Sequence, residues 1–173
     1  MRGGFVAAAL LVALAAPAGA LRAQDAPQYD GALLTACLAG KTGAEARSAC
    51  IGAASDACMA LPAGQTTAGM VQCLGAERDD WDRRLNSTYA TLMAEQKAAD
   101  DELAALGSAV KPERAQWLKE MQRNWIGYRD AACRFDAAQW SGGTGAGPSS
   151  TNCMLVLTAR QVLFLESYLG RDG

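Results

Sequence analysis

Residues 112–135, PERAQWLKEMQRNWIGYRDAACRF, carry the strongest helical periodicity in the chain. Apolar side chains recur in steps of four and three, the spacing that places them on one face of an α-helix. Pro112 stands in the first turn, where its missing N–H is not needed. We therefore predict an amphipathic helix whose buried stripe consists of Trp117, Met121, Trp125, Tyr128, Ala132 and Phe135.

Two further helices are predicted on either side of this one. A long amphipathic pattern runs from a cap at Thr66 or Thr67 to about Leu106, and Gly107 ends it. After an irregular loop at 141–150, Ser150 or Thr151 caps a last helix that ends at Gly170. No alternating strand pattern of useful length occurs. The fold class predicted is all-α, an antiparallel three-helix bundle.

The N-terminal part predicts a smaller helical unit. Alanine-rich segments at 29–39 and 44–60 flank Gly40–Gly43, which indicates a helical hairpin. These segments carry few large apolar side chains, so we expect them to need disulfide staples. We therefore divide the chain into a hairpin extension at 21–65 and a helical domain at 66–173.

Residues 1–20 have the pattern of a cleavable signal peptide. Arg2 precedes an unbroken apolar run from Phe5 to Ala16, and Ala18-Gly19-Ala20 matches a signal-peptidase site. The run is too short for a membrane-spanning helix, which needs about 20 apolar residues. No cysteine follows it closely enough for a lipoprotein anchor. We expect a periplasmic or secreted protein without a membrane span.

The six cysteines predict a disulfide framework. An even number of cysteines in an exported chain favours disulfides over metal binding, and the chain has neither histidine nor a C-x-x-C motif. Sequence alone cannot select one pairing. We favour pairs of sequence neighbours and predict neither a metal nor a cofactor. The favoured pairs are Cys37–Cys50, Cys58–Cys73 and Cys133–Cys153.

Composition excludes several classes of function. The chain has 16 Lys and Arg against 18 Asp and Glu, a net charge of −2, and removal of Arg2 makes it slightly more acidic. Such a balance is unfavourable for general nucleic-acid binding, which depends on neutralised phosphates. The absence of histidine removes the commonest general base and the usual serine and cysteine triads.

An acidic cluster at 77–82 has two interpretations. Glu77 and Asp80 share one helix face, and Asp79 and Asp82 share another. Interleaved arginines make a solvated, salt-bridged helix face the favoured interpretation. A glycosidase-like pair is the alternative.

The glycine-rich loop at 141–150 is the predicted partner-binding segment, although an ordinary flexible connection is the alternative. A loop of small residues, pinned by Cys133–Cys153, could enter a partner's cleft at low entropic cost. Trp140, at its start, is expected to be partly exposed, whereas the three tryptophans at 81, 117 and 125 are expected in the core. The predicted contacts are Trp140, Ser141, Thr144, Ser149 and Ser150.

Two sequence blocks carry a resemblance to a known family. They are Trp-Asp-x-x-Leu-Asn-x-x-Tyr, beginning at Trp81, and Trp-x-x-Tyr-Arg-Asp-x-x-Cys, beginning at Trp125. Arg129 and Asp130 are predicted to form inter-helix hydrogen bonds with residues of the first block. The motif residues are Glu77, Trp81, Asp82, Leu85, Asn86, Tyr89, Trp125, Tyr128, Arg129, Asp130, Thr158 and Arg160.

From Cys73 onward the chain resembles the lysozyme-inhibitor LprI-like domain of bacterial envelope proteins. The resemblance implies a small helical, disulfide-linked domain without known catalysis. We expect a periplasmic binding protein that inhibits lysozyme-type muramidases, with lysozyme or another periplasmic protein as its partner. A non-inhibitory envelope module is the alternative, and a carboxylate-based peptidoglycan hydrolase is the third hypothesis. The sequence does not indicate the oligomeric state.

Overall fold

The computed structural model describes residues 26–107 and 109–169, and this part of the chain is all-helical, without a strand. The predicted all-α class is confirmed. The predicted signal peptide at 1–20 lies outside the described residues, and the division at residue 66 stays a prediction. The helices are α1 (Gly31–Leu38), α2 (Ala44–Ser48), α3 (Ala53–Met59), a 3₁₀-helix (Pro62–Gln65), α4 (Thr67–Ala105), α5 (Arg114–Ala138) and α6 (Ala146–Glu166).

The core lies where the three long helices α4, α5 and α6 meet, and each contacts the other two. Gly75 of α4 lies near Thr151 of α6, and Arg84 binds Glu166, so these two helices run in the same direction. Helices α5 and α6 run in opposite directions, since Gln122 contacts Gln161 whereas Asp136, later in α5, contacts Ser149, earlier in α6. Residues of α4 and α6 provide most of the buried side chains: Leu74, Trp81, Leu85, Leu92, Leu155, Val162, Leu163 and Leu165.

The predicted buried stripe of α5 is wrong at three of its positions. Trp117, Tyr128 and Phe135 are 58%, 62% and 69% exposed. The buried residues of α5 are instead Leu118, Gln122 and Cys133, a face rotated by about 100°. This buried face is not apparent from apolar spacing, because it includes the polar residue Gln122. Gln161 Nε2 donates to Gln122 Oε1 at 2.9 Å inside the protein.

The second helix of the N-terminal hairpin is broken in two. Helix α2 ends at Ser48, and α3 begins at Ala53 after Gly52, whose φ of +97° lies in the left-handed region. Glycine adopts this conformation without the steric cost that a side chain would add. The predicted continuous helix at 44–60 is therefore corrected to two short helices joined at a left-handed glycine.

Helix α4 begins as predicted, and α6 begins earlier than predicted. Thr66 Oγ1 accepts a hydrogen bond from the N–H of Gly69 at 2.9 Å, which caps α4. Helix α6 begins at Ala146 rather than after a cap at Ser150 or Thr151, so Ser149 and Ser150 are helical. Proline is tolerated in a first turn, so Pro148 does not prevent this earlier start.

The three disulfides are the pairs favoured from the sequence. Their Cα–Cα distances are 5.7, 5.7 and 5.4 Å for Cys37–Cys50, Cys58–Cys73 and Cys133–Cys153. The first holds α1 to the turn after α2, the second joins α3 to α4, and the third joins α5 to α6. The small N-terminal helices are thus attached covalently to a larger core, as their low apolar content requires.

Two glycines let the 3₁₀-helix lie backbone to backbone against the start of α4 and the end of α3. A Cβ on Gly69 would collide with the carbonyl oxygen of Ala63, and one on Gly64 would collide with that of Cys58. We expect Gly69→Ala to lower the free energy of unfolding by about 2–3 kcal/mol, because rigid backbone must move. Urea unfolding measures this change.

Gly127 offers a matched control within α5. It is helical and exposed, and a Cβ there would meet nothing within 4 Å. Gly127→Ala should raise the free energy of unfolding by up to about 1 kcal/mol, since alanine has the higher helix propensity. Equal effects of the two substitutions would contradict the close approach at Gly69.

Candidate functional site

The predicted binding loop is a tight corner between α5 and α6. Trp140 packs its ring against Gly145, where a Cβ would collide with it, yet half of the side chain remains exposed. The N–H of Gly143 donates to the carbonyl of Trp140 at 2.7 Å, and Ser141 has a φ of +47°. The loop between the helices is shorter than the predicted segment at 141–150, because α6 already begins at Ala146.

The structure separates the five predicted contact residues into two groups. Trp140, Ser141 and Thr144 lie exposed on the corner. Ser149 and Ser150 are half-buried in the first turns of α6, and Ser149 Oγ donates to Asp136 Oδ2 at 2.5 Å. This last contact ties Ser149 to α5, whereas Ser150 lines a shallow pocket at the surface.

A shallow pocket of about 380 Å³ lies beside the Cys133–Cys153 disulfide. Its lining includes two arginines of α5, one of which, Arg129, stacks over the Trp125 ring at 4.9 Å. Arg129 also donates to Asp130 Oδ1 at 2.8 Å on the same helix. The pocket is lined by Arg129, Asp130, Cys133, Arg134, Ser150 and Met154.

The predicted inter-helix hydrogen bonds of the family motif are replaced by bonds within each helix. Arg129 pairs with its neighbour Asp130, and Asn86 Nδ2 donates to Asp82 Oδ2 at 3.1 Å within α4. Asp82 and Asn86 are four residues apart on α4, the spacing at which side chains of one helix face meet. Among the other motif residues, Trp81, Leu85 and Thr158 are buried, Tyr89 and Trp125 are half-buried, and Tyr128 and Arg160 are exposed.

Glu77 is the polar centre of the N-terminal half and is completely buried. Its Oε1 accepts from the N–H of Gly52 at 2.7 Å and from the Trp81 indole at 3.1 Å. Its Oε2 accepts from the N–H groups of Ala54 and Ser55 at 3.0 and 2.7 Å. Both oxygens are therefore occupied by donors at the start of α3, and the interpretation of Glu77 as part of a solvated face is wrong.

Asp80 does not share a site with Glu77. Its Oδ2 accepts from the Tyr29 hydroxyl at 2.6 Å, and its Oδ1 is bound by Arg83. Burial of Tyr29, with a smaller contribution from the charge of Glu77, raises the pKa of its hydroxyl to about 12. Asp79 and Asp82 have local partners and fit the solvated interpretation. The geometry does not give Glu77 and Asp80 the open, paired arrangement that glycosidic cleavage requires.

A second polar cluster joins three helices. Glu166, near the end of α6, forms an ion pair with Arg47 of α2 at 2.5 Å and accepts a hydrogen bond from Arg84 of α4 at 2.6 Å. The Glu166 side chain is largely buried, whereas Arg84 is partly exposed. Nothing in the local sequence signals this cluster, because Glu166 is 82 residues from Arg84 and still farther from Arg47.

Sequence reasoning also missed an apolar pocket of about 310 Å³ at the other end of the long helices. The exposed rings of Trp117, Phe164 and Tyr168 stand at this pocket, and the last two pack edge to face with centroids 5.2 Å apart. Leu92, Leu118 and Leu165 lie beneath. A pocket of this kind suits an apolar side chain of a partner better than a polar substrate.

Within residues 26–107 and 109–169, no three metal-binding side chains come together. Over the same residues, every helix is too short or too polar to cross a bilayer.

Residues 58–165, from α3 to the end of α6, match the sequence model of the family described as "Lysozyme inhibitor LprI". The chain belongs to the LprI family. The match begins at Cys58, so it includes the Cys58–Cys73 and Cys133–Cys153 disulfides, and α1 precedes it. The resemblance inferred from the two tryptophan-containing blocks is confirmed.

Two relatives of the chain are uncharacterized proteins. It is 26% identical to the 17.7 kDa protein in the puhA 5′ region of Rhodobacter capsulatus over 91% of this chain and 93% of that protein. It is 32% identical to protein R02472 of Rhizobium meliloti (strain 1021) over 51% of this chain and 63% of that protein. No solved structure matches the LprI-family chain significantly.

Proposed function

We propose that this protein is exported and inhibits a lysozyme-type muramidase by binding it, without catalysis of its own. The observation that carries the proposal is the family match, which extends over the core-forming helices α4 to α6 and the disulfide that joins α5 to α6. Three disulfides suit a periplasmic or secreted location, where oxidised thiols persist. The N-terminal signal pattern supports the same location.

The hydrogen bonds that occupy both carboxylate oxygens of Glu77 support a binding function rather than hydrolysis. A general acid needs a carboxyl group that can approach a glycosidic oxygen. Glu77 is completely buried, and four N–H groups already occupy its oxygens. In this proposal Glu77 therefore maintains the fold and does not touch a substrate.

The corner formed by Trp140, Ser141 and Thr144 is the proposed first contact with the cleft of the muramidase. Trp140 is 51% exposed and is held against Gly145, so its ring is presented in one orientation. A rigid aromatic side chain loses little conformational entropy on binding, and tryptophan is enriched at interface hot spots. The Cys133–Cys153 disulfide restrains the helices on both sides of the corner.

The test is lysis of peptidoglycan-bearing cells by a purified basic lysozyme, with and without the oxidised protein. We expect a saturable, stoichiometric loss of lysis. The double variant Trp140→Ala/Thr144→Ala should weaken inhibition about 30-fold, the effect of losing a hot spot of about 2 kcal/mol. An unchanged urea midpoint would show that the variant is folded.

Leu106→Ala is the matched control. Leu106 is exposed at the C-terminal end of α4, at the opposite end of the long helices from the Trp140 corner. It should inhibit as the wild type does. Full inhibition by the Trp140→Ala/Thr144→Ala variant would remove the corner from the proposal. No inhibition by the wild type at a large molar excess would remove the inhibitor function itself.

A further inference from the structure

The Cys37–Cys50 disulfide is open to solvent on one side only. Cys50 is completely buried, whereas Cys37, near the end of α1, is partly exposed. A disulfide is reduced when a thiolate attacks one of its two sulfurs, so the rate depends on access to that sulfur. A thiolate from solvent can therefore reach this disulfide at Cys37, and Cys50 is the group that leaves.

A lysine stands at the accessible cysteine. Lys41, which follows Cys37 by four residues just after α1, donates from its Nζ to Cys37 Sγ at 3.4 Å. The attacking group is an anion, and its charge spreads over three sulfurs as the bond is exchanged. An ammonium group at this distance attracts the anion and stabilises that charge. Once Cys37 is reduced, the same ammonium favours its thiolate form.

Apart from this disulfide, α1 is held mainly by one side chain and one hydrogen bond. Leu34 is the one buried side chain of α1, and the hydroxyl of Tyr29, just before the helix, donates to Asp80 on α4. Cys50, in contrast, precedes a turn whose N–H groups bind the buried carboxylate of Glu77. Without the disulfide, α1 can move away while the buried cysteine stays in place. The two thiols are then separated, which hinders re-formation of their bond.

The other two disulfides lack this combination of access and mobility. Cys58, Cys73 and Cys133 are each at most 2% exposed. Cys153 is partly exposed, but its disulfide joins α5 to α6, two long helices that pack together along the core. If this bond were exchanged, the packed helices would hold the two sulfurs close together, and a high effective concentration favours the re-formed disulfide.

We propose that Cys37–Cys50 is a thiol–disulfide exchange site, reduced by a protein dithiol, and that its reduction releases α1 from α4. A thiolate of the dithiol attacks Cys37 Sγ, which forms a mixed disulfide and expels Cys50 as a thiolate that then takes up a proton. The second thiol of the reductant, after losing its proton, attacks the reductant's own sulfur in the mixed disulfide and expels Cys37 as a thiolate beside Lys41. Two electrons thus pass to this protein, and the dithiol leaves as a disulfide.

Release of α1 uncovers one side of α4. In the oxidised protein a pocket of about 360 Å³ lies between the two helices, with Leu34 and Leu38 of α1 on one wall and Asp80, Trp81 and Arg84 of α4 on the other. The α4 residues lie within the segment that the family model matches, and α1 precedes that segment. Reduction therefore exposes a surface of the LprI domain that α1 covers in the oxidised protein. This inference does not depend on muramidase inhibition.

The test reduces the full oxidised chain with dithiothreitol, blocks free thiols at intervals with N-ethylmaleimide and locates them by mass spectrometry. We expect Cys37 and Cys50 to be labelled before the other four cysteines. Lys41→Met should slow their labelling about fivefold, the effect of losing a favourable charge interaction of about 1 kcal/mol. Lys97→Met is the matched control, because it removes the same charge from an exposed lysine of α4 that pairs with Asp101. This control should be reduced as the wild type is.

Hydrogen exchange, measured when only this disulfide is reduced, tests the release of α1. Protection should be lost in α1 and retained in α4 to α6. Earlier labelling of Cys133 and Cys153, or equal rates in Lys41→Met and the wild type, would overturn the exchange site. Retained protection of α1 after reduction would overturn its release. Neither readout involves lysozyme, so a failure of the inhibitor function and a failure of this inference are distinguishable.

Discussion

Glu77→Ala is expected to lower the free energy of unfolding by about 4 kcal/mol, measured by urea denaturation of the oxidised protein. Removal of the carboxylate leaves four buried N–H groups without an acceptor: those of Gly52, Ala54, Ser55 and the Trp81 indole. Each unsatisfied buried donor costs roughly 1–3 kcal/mol, although water entering the vacated space offsets part of the total. The left-handed turn at Gly52 should also loosen, because the carboxylate holds it to α4.

Two further variants separate the hydrogen bonds of Glu77 from the effect of charge alone. Glu77→Gln keeps the size and one acceptor oxygen, so we expect a loss of about 2 kcal/mol, since its amide group faces other donors. Asp79→Asn removes the same charge two residues away, where the side chain is 55% exposed, and should change stability by less than about 0.5 kcal/mol. Similar losses for Glu77→Ala and Asp79→Asn would contradict the buried acceptor role.

Cys133→Ala/Cys153→Ala is expected to lower the free energy of unfolding by about 3 kcal/mol. The disulfide closes a segment of 20 residues between α5 and α6, and its loss frees that segment in the unfolded state. Cys133 is almost completely buried, so alanine also leaves a small void in the core. This variant should also inhibit lysozyme less strongly in the lysis assay, because the Trp140 corner lies inside the segment that the disulfide closes.

Cys37→Ala/Cys50→Ala is the informative comparison. Its loop of 13 residues has a similar closure entropy, about 3 kcal/mol. However, Leu34 is the one buried side chain of α1, so we expect α1 to detach while α4 to α6 stay folded. Hydrogen exchange would then show early loss of protection in α1 alone. Global unfolding of both variants at the same urea concentration would contradict this division.

The local signals of this sequence were sufficient for several features. The Thr66 cap, the extent of α4 and the all-helical class follow from capping chemistry and apolar spacing, which act within a few residues. Pairing of neighbouring cysteines was favoured on sequence proximity, and the structure has those pairs. The family resemblance rested on two short blocks and is shown by the match over 58–165.

The face that α5 buries could not be predicted from its own sequence. The aromatic stripe and the face with Leu118 and Gln122 are both compatible with a helix, and apolar spacing favours the first. The choice depends on α6, whose Gln161 supplies a buried partner for Gln122 and makes a polar residue acceptable in the core. The aromatic side chains that this choice leaves exposed are Trp117, Tyr128 and Phe135.

The sequence by itself determined where helices can form, which cysteines are available and which family the chain joins, because these depend on residue type and short-range spacing. Only the tertiary structure decided that Glu77 is buried rather than solvated, and that Trp117, Tyr128 and Phe135 are exposed rather than buried. Burial depends on which surfaces meet across distant parts of the chain. A carboxylate becomes stable inside a protein only when folding brings donors to it, as the N-terminus of α3 does for Glu77.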